Sequence, residues 1–202
     1  MEAPSKIGFT MTGNLVEAFG YPKPRTGGKR SAKRGKVSGL SRASRRRMLR
    51  FTATIDPKAI PVFITLTYPD PWEDDPKKWK RHLDAFLKAL DRKCENASGF
   101  WKLEPQKRGA PHYHLMIWQG LDKAFVDHRW VAKVWNRIVA PGNDDHLKAC
   151  SSVEAIRSSR GTMFYVAKYI GKDIDLAETK SEVWKSVGRW WGKFNAKNIP
   201  IA

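Results

Sequence analysis

The 202 residues carry 38 Lys+Arg against 20 Asp+Glu, a formal net charge of +18, and 41% of them are hydrophobic, with nine Trp and nine Phe. That apolar fraction excludes a wholly disordered basic protein, and two cysteines, Cys94 and Cys150, without a CxxC spacing exclude a disulfide scaffold and a cysteine-rich zinc finger. A folded basic domain with a polyanionic partner remains, expected in a reducing compartment and hence in the cytoplasm, with no apolar run of about 18 residues to cross a membrane.

In chain order, residues 1–40 read as a basic flexible arm and 41–202 as the folded domain, whose apolar end suggests that the chain is cut from something longer. Lys23 to Arg50 holds twelve basic residues and no acid, so most of the excess charge sits there, interrupted up to Leu40 by Gly27, Gly28, Gly35 and Gly39. From Ser41 the composition becomes that of a short basic helix on a serine cap. Its Arg42, Arg45, Arg46, Arg47 and Arg50 are candidates for DNA phosphates, because cations so concentrated repel one another until phosphates neutralise them.

Pro61 to Tyr68 (PVFITLTY) is a β-branched and aromatic strand stopped by Pro69-Asp70-Pro71. Asp75 caps a helix with Pro76 at its first position, and Trp79, Leu83, Phe86, Leu87 and Leu90 share one face. Phe100–Gln106 and Pro111–Trp118 form a hairpin with a three-residue loop at Arg108-Gly109-Ala110, which sets Glu104 opposite His114 and Gln106 opposite His112. A helix over Lys123–Val139 ends at Pro141-Gly142. A strand over Ser152–Ser158 and a helix over Gly161–Lys172 follow. This order of elements is that of an α+β domain, a central antiparallel sheet with helices on one face.

Two clusters carry chemistry. In Pro111-His112-Tyr113-His114-Leu115, alternation along a strand puts both imidazoles on one side, with Glu104 on the neighbouring strand as a third candidate metal ligand. In Tyr165-Val166-Ala167-Lys168-Tyr169-Ile170-Gly171-Lys172, a helix gathers Tyr165, Lys168, Tyr169 and Lys172 on one side and leaves Val166, Ala167 and Ile170 on the other. A phenol with a reference pKa near 10 needs nearby cations to react at neutral pH, and the two lysines can supply them.

Phe63-Ile64-Thr65-Leu66-Thr67-Tyr68-Pro69, His112-Tyr113-His114 and Tyr165-Val166-Ala167-Lys168-Tyr169, in that order, resemble the three motifs of the HUH endonucleases, specifically the rolling-circle replication initiators of phages and plasmids. The resemblance runs over 60–172 and extends toward Gly188-Arg189-Trp190-Trp191-Gly192. Relaxases carry their tyrosine near the N-terminus, before the histidines, where Tyr21 in the arm is the only candidate, so the order favours an initiator. What the resemblance implies is an HUH/RRM-like palm holding Mg²⁺ or Mn²⁺ on His112, His114 and Glu104. Tyr165 or Tyr169, assisted by Lys168 and Lys172, would nick single-stranded or hairpin origin DNA, leaving a 5′-phosphotyrosine link and a free 3′-OH for host helicase and polymerase to use. An HUH-class transposase shares every one of these motifs. A non-enzymatic basic nucleic-acid-binding protein explains the arm and the aromatics but leaves the histidine pair unassigned.

Overall fold

A computed structural model describes residues 7–13, 15–20, 40–119, 126–156, 158 and 182–202. Five strands, β3 (Val62–Thr67), β4 (Ala97–Pro105), β5 (Pro111–Gln119), β6 (Ser151–Ala155) and β7 (Trp191–Phe194), form one antiparallel sheet in the order β6-β3-β5-β4-β7. The α+β architecture is the one the order of elements implied.

The helices form where local chemistry fixes their ends. In α1 (Arg42–Ala53) the Ser41 hydroxyl accepts from the Ser44 amide at 3.2 Å. In α2 (Pro76–Lys93) Asp75 accepts from the Lys77 amide at 2.8 Å, and Pro76, which has no N–H to lose, starts the helix. α3 covers His128–Val139 with Asp127 as its cap, so the helix starts later than the Lys123 expected from periodicity. Asn143 starts a short helix, α4 (Asp144–Ala149), that the sequence pattern did not reveal. The predicted strand after it runs Ser151–Ala155 rather than to Ser158.

The sheet has two apolar sides, not one. On the first, α2 and α3 bring Trp79, Leu83, Phe86, Val131 and Trp135 against Leu66, Leu103, Tyr113 and Leu115 of the sheet. Each such large side chain removed from water contributes about 1.5–3 kcal/mol. On the second, Met48 and Phe51 of α1 pack with Phe63, Phe100, Met116 and Trp118, and the Trp191 indole N–H donates to the Ser44 hydroxyl at 2.8 Å. The expectation of helices on one face therefore fails for α1. The amphipathic pattern of a helix shows that it buries a stripe, not which side of the sheet receives it.

Two further strands, β1 (Ile7–Thr12) and β2 (Leu15–Gly20), form a separate antiparallel hairpin inside the stretch expected to be flexible arm. Gly13 opens its turn at φ +54°, and the turn rests on α1 so closely that a Cβ at Gly13 would lie 1.8 Å from the Ala53 carbonyl oxygen.

Candidate active site

His112 and His114 project from the same side of β5, with ring centroids 4.5 Å apart. The neighbouring strand β3 sets Thr67 opposite His112 and Thr65 opposite His114. The Thr67 hydroxyl lies 3.3 Å from His112 Nδ1 and the Thr65 hydroxyl 3.2 Å from His114 Nδ1. A threonine hydroxyl both donates and accepts, so each can serve either tautomer of its imidazole. The Phe63 ring stacks on His114 at 5.4 Å and 19°, fixing the plane of the imidazole from the apolar end of the same face.

From the other side, β4 sets Glu104 opposite His112 and Lys102 opposite His114. Glu104 Oε1 is 2.7 Å from His114 Nε2, and the Lys102 ammonium donates to Glu104 Oε2 at 3.0 Å. All three groups are buried, Lys102 at only 1% exposure. A charge taken that far from water persists only with a counter-charge in contact. Burial alone raises the pKa of Glu104, but the hydrogen bond and charge of His114, with the Lys102 ammonium, outweigh it and hold the carboxyl at about 2. The carboxylate is therefore anionic at any physiological pH.

The register corrects the expected hairpin. Glu104 faces His112 rather than His114, and Gln106 lies outside the sheet. Pro105 and Pro111 form the last register pair, and a five-residue loop, Gln106–Ala110, replaces the expected three-residue one. Gly109 takes φ +87° there, and the Gln106 amide donates to the Ala110 carbonyl at 2.9 Å. The shift is two residues, so the alternation is preserved and Glu104 stays on the histidine face, reaching His114 along the diagonal.

Two imidazoles and a carboxylate are a nitrogen and oxygen donor set of the kind that suits Mg²⁺ or Mn²⁺ poorly as a closed cage and well as an open site completed by substrate oxygens. As the side chains stand, no three His, Cys, Asp or Glu among the described residues converge on one ion. Glu104 spends one oxygen on His114 and the other on Lys102. The hydroxyls behind the two imidazoles can hold the metal-binding tautomers; His114 Nε2, which now donates to the carboxylate, and Glu104 itself fit an ion once they release each other.

Lys102, Thr65 and Thr67 were not picked out from the sequence. The signal for the threonines was their alternation in FITLT, the polar members of an otherwise apolar strand. Lys102 had a weaker one, a cation in phase with Glu104 two residues on.

The basic residues of α1 lie on the same side of the sheet. Arg46 pairs with Glu17 of β2 at 2.5 Å, Arg50 pairs with the other oxygen of the same carboxylate, and the Arg45 guanidinium donates to the Leu40 carbonyl at 3.2 Å. Arg42, Arg46, Arg47 and Arg50 line a shallow recess of about 400 Å³. Tyr165, Lys168, Tyr169 and Lys172, with the expected helix over Gly161–Lys172, lie outside the described residues, as does Tyr21.

A model of the replication-associated protein ORF2 family matches residues 61–174, which span β3 through β6 together with the tyrosine segment. The chain belongs to that family. A replication-associated protein of Pseudomonas phage Pf3 is 28% identical over 194 residues, an alignment covering 92% of this chain and 66% of the phage protein. The chain thus spans just under two thirds of the length of the curated relative it matches. No solved structure matches it. A phage rolling-circle replication initiator is the kind of protein these similarities support, and the histidine face lies within the matched region, with Lys102, Glu104 and His114 paired there while buried.

Proposed function

We propose that the protein is a metal-dependent endonuclease and strand transferase that nicks single-stranded or hairpin origin DNA through a tyrosine to start rolling-circle replication. The observation that carries this reading is the pair His112 and His114 on one face of β5, each imidazole backed by a threonine hydroxyl, in a chain of a replication-associated family. His112 and His114, with Glu104 after it exchanges partners, would hold Mg²⁺ or Mn²⁺, which supplies positive charge to polarise the scissile phosphate.

The chain's own residues do the rest. Once Glu104 releases His114 Nε2, whose proton it now accepts, Thr65 and Thr67 would accept from the Nδ1–H of the imidazoles and leave each Nε2 lone pair for the ion. Lys102 retains one oxygen of Glu104 and so limits the carboxylate to a single outward oxygen. The phenolate of Tyr165 or Tyr169 attacks phosphorus, the P–O3′ bond breaks, the phenolic oxygen keeps the 5′-phosphoryl group, and the departing 3′-oxygen takes a proton to become the 3′-OH. One phosphodiester is exchanged for another, so the step is reversible and permits rejoining. Lys168 and Lys172 offset the charge of phenolate and phosphoryl oxygens. Host helicase and polymerase are the partners that such a 3′-OH would engage.

A denaturing gel of the protein incubated with single-stranded oligonucleotides and Mn²⁺ tests this. Covalent adduct is expected from wild type and from each single Tyr165→Phe or Tyr169→Phe variant, and none from the double variant or in EDTA. Adduct from the double variant removes that segment as the source of the nucleophile.

A further inference from the structure

The β1–β2 hairpin presents two unlike faces. Register pairs Phe9 with Ala18 and Met11 with Val16, so these four side chains share one side of the ribbon. Phe9 is 71%, Met11 76% and Val16 62% exposed, three of the four large hydrophobics that are exposed among the described residues. The other side carries Glu17, whose carboxylate is bracketed by Arg46 and Arg50 of α1. An isolated two-stranded ribbon is marginally stable in water, and this one is fastened to α1 by that carboxylate and by the contact of Gly13 with Ala53. Arg42 and Arg47 extend the same guanidinium surface along the recess.

Exposed aromatic and thioether side chains on one side of the ribbon and clustered arginines against the other are the two halves of a single-stranded nucleic-acid surface for a strand that passes over the ribbon's edge: flat groups for bases, guanidiniums for the backbone. From this we infer that the hairpin and α1 form a single-stranded DNA contact distinct from the histidine face, in which bases stack on Phe9 and Met11 and backbone phosphates displace Glu17 from Arg46 and Arg50. Glu17 acts as an internal substitute for phosphate. It keeps the two guanidiniums paired and the hairpin docked until a strand arrives. Charge complementarity selects a polyanion, and stacking selects unpaired bases over a duplex, whose bases are already stacked on one another. The inference rests on DNA being the partner, and does not require the nicking chemistry.

The test is fluorescence anisotropy with labelled oligo(dT) of about 20 nucleotides, in EDTA so that no cleavage intervenes, across a salt series, with circular dichroism to verify each variant's fold. Phe9→Ala/Met11→Ala is expected to weaken binding about ten-fold or more while leaving the salt slope unchanged. Glu17→Gln, which removes the competitor, is expected to tighten it about five-fold. Arg46→Gln/Arg50→Gln should reduce the slope of log affinity against log salt by about 1.4, two single-strand phosphates' worth. An unchanged slope would mean that Glu17 never leaves the arginines and would overturn the exchange. Equal weakening of oligo(dT) and a duplex of the same length by the Phe9/Met11 variant would overturn base stacking, as would a dimer in sedimentation that the same variant dissolves. Mn²⁺-dependent adduct formation by the hairpin variants reports separately on the nicking reading: adduct with normal oligo(dT) binding sinks this inference alone.

Discussion

The same five strands serve two opposite purposes on their two sides. Along β5, Tyr113, Leu115 and Ile117 point into the seam with α2 and α3 and are fully buried, whereas His112 and His114 point the other way and meet Thr65, Thr67, Glu104 and Lys102. One side is sealed by dispersion and hydrophobic burial, the other by a chain of polar contacts in which Lys102, Glu104 and His114 satisfy one another. Changing the first side should cost stability, and changing the second should cost chemistry, although the substituted residues are adjacent in sequence.

The largest expected effect sharpens that contrast. Replacing His112 and His114 together by alanine should lower Mn²⁺-dependent nicking by about a thousand-fold or more, the several kcal/mol that a metal supplies to such a reaction, and should cost about 1–3 kcal/mol in urea, because Glu104 loses His114 but retains Lys102. On the sealed side, Trp135→Ala should cost about 3–5 kcal/mol in urea denaturation. Trp135 is fully buried, and its indole N–H donates to the Thr67 carbonyl at 2.7 Å. A histidine double variant as unstable as Trp135→Ala would erase the distinction between the sides.

Next in size is the buried pair itself. Lys102→Met leaves the Glu104 carboxylate with His114 alone, and removing one partner of a buried pair costs about 3–5 kcal/mol. Adding Glu104→Gln removes the orphaned charge, so the double variant should recover most of that loss. Additive losses in the double-mutant cycle would mean that Lys102 and Glu104 do not depend on each other.

Strong local signals made much of this fold legible in the sequence. β3 announced itself by β-branched residues bounded by prolines, α2 by Asp75 and Pro76, α1 by Ser41, and the shared side of His112 and His114 by simple alternation. What escaped depended on partners far along the chain. β7 is four residues at the sheet edge, held by pairing with β4 nearly a hundred positions earlier. The β1–β2 hairpin lies in a stretch read through the charge that follows it, although GFTMT and LVEAF alternate across a glycine turn. The hairpin register turned on a loop two residues longer than expected. Lys102 escaped because lysine is ordinarily a solvent residue, and only its neighbours at 104 and 114 explain why this one is buried.

The smallest effect concerns Thr67, where the two sides meet. Its hydroxyl backs His112, while its carbonyl accepts from Trp135 and, at 2.9 Å, from Nε2–H of His146 in α4. His146 Nδ1 in turn accepts from the Asn136 side-chain amide at 3.1 Å, so the neutral ring has both nitrogens satisfied. Burial lowers its pKa below 6.5; the hydrogen bond to the Thr67 carbonyl opposes this in part, and the charge of Arg108 adds a smaller push downward. Between the folded pKa and 6.5 the unfolded chain holds a proton that the folded chain lacks, so stability is fully present above about 6.5 and declines as pH falls below it. Protonation converts Nδ1 from acceptor to donor and breaks the bond from Asn136. Urea midpoints at pH 7.5 and pH 5 should therefore differ more for wild type than for His146→Gln, whose amide can donate to Thr67 and accept from Asn136 without titrating. His82, also lowered chiefly by burial, leaves a residual acid loss in both proteins. Equal acid losses in the two would place the titrating group elsewhere and would detach α4 from the support of the histidine face.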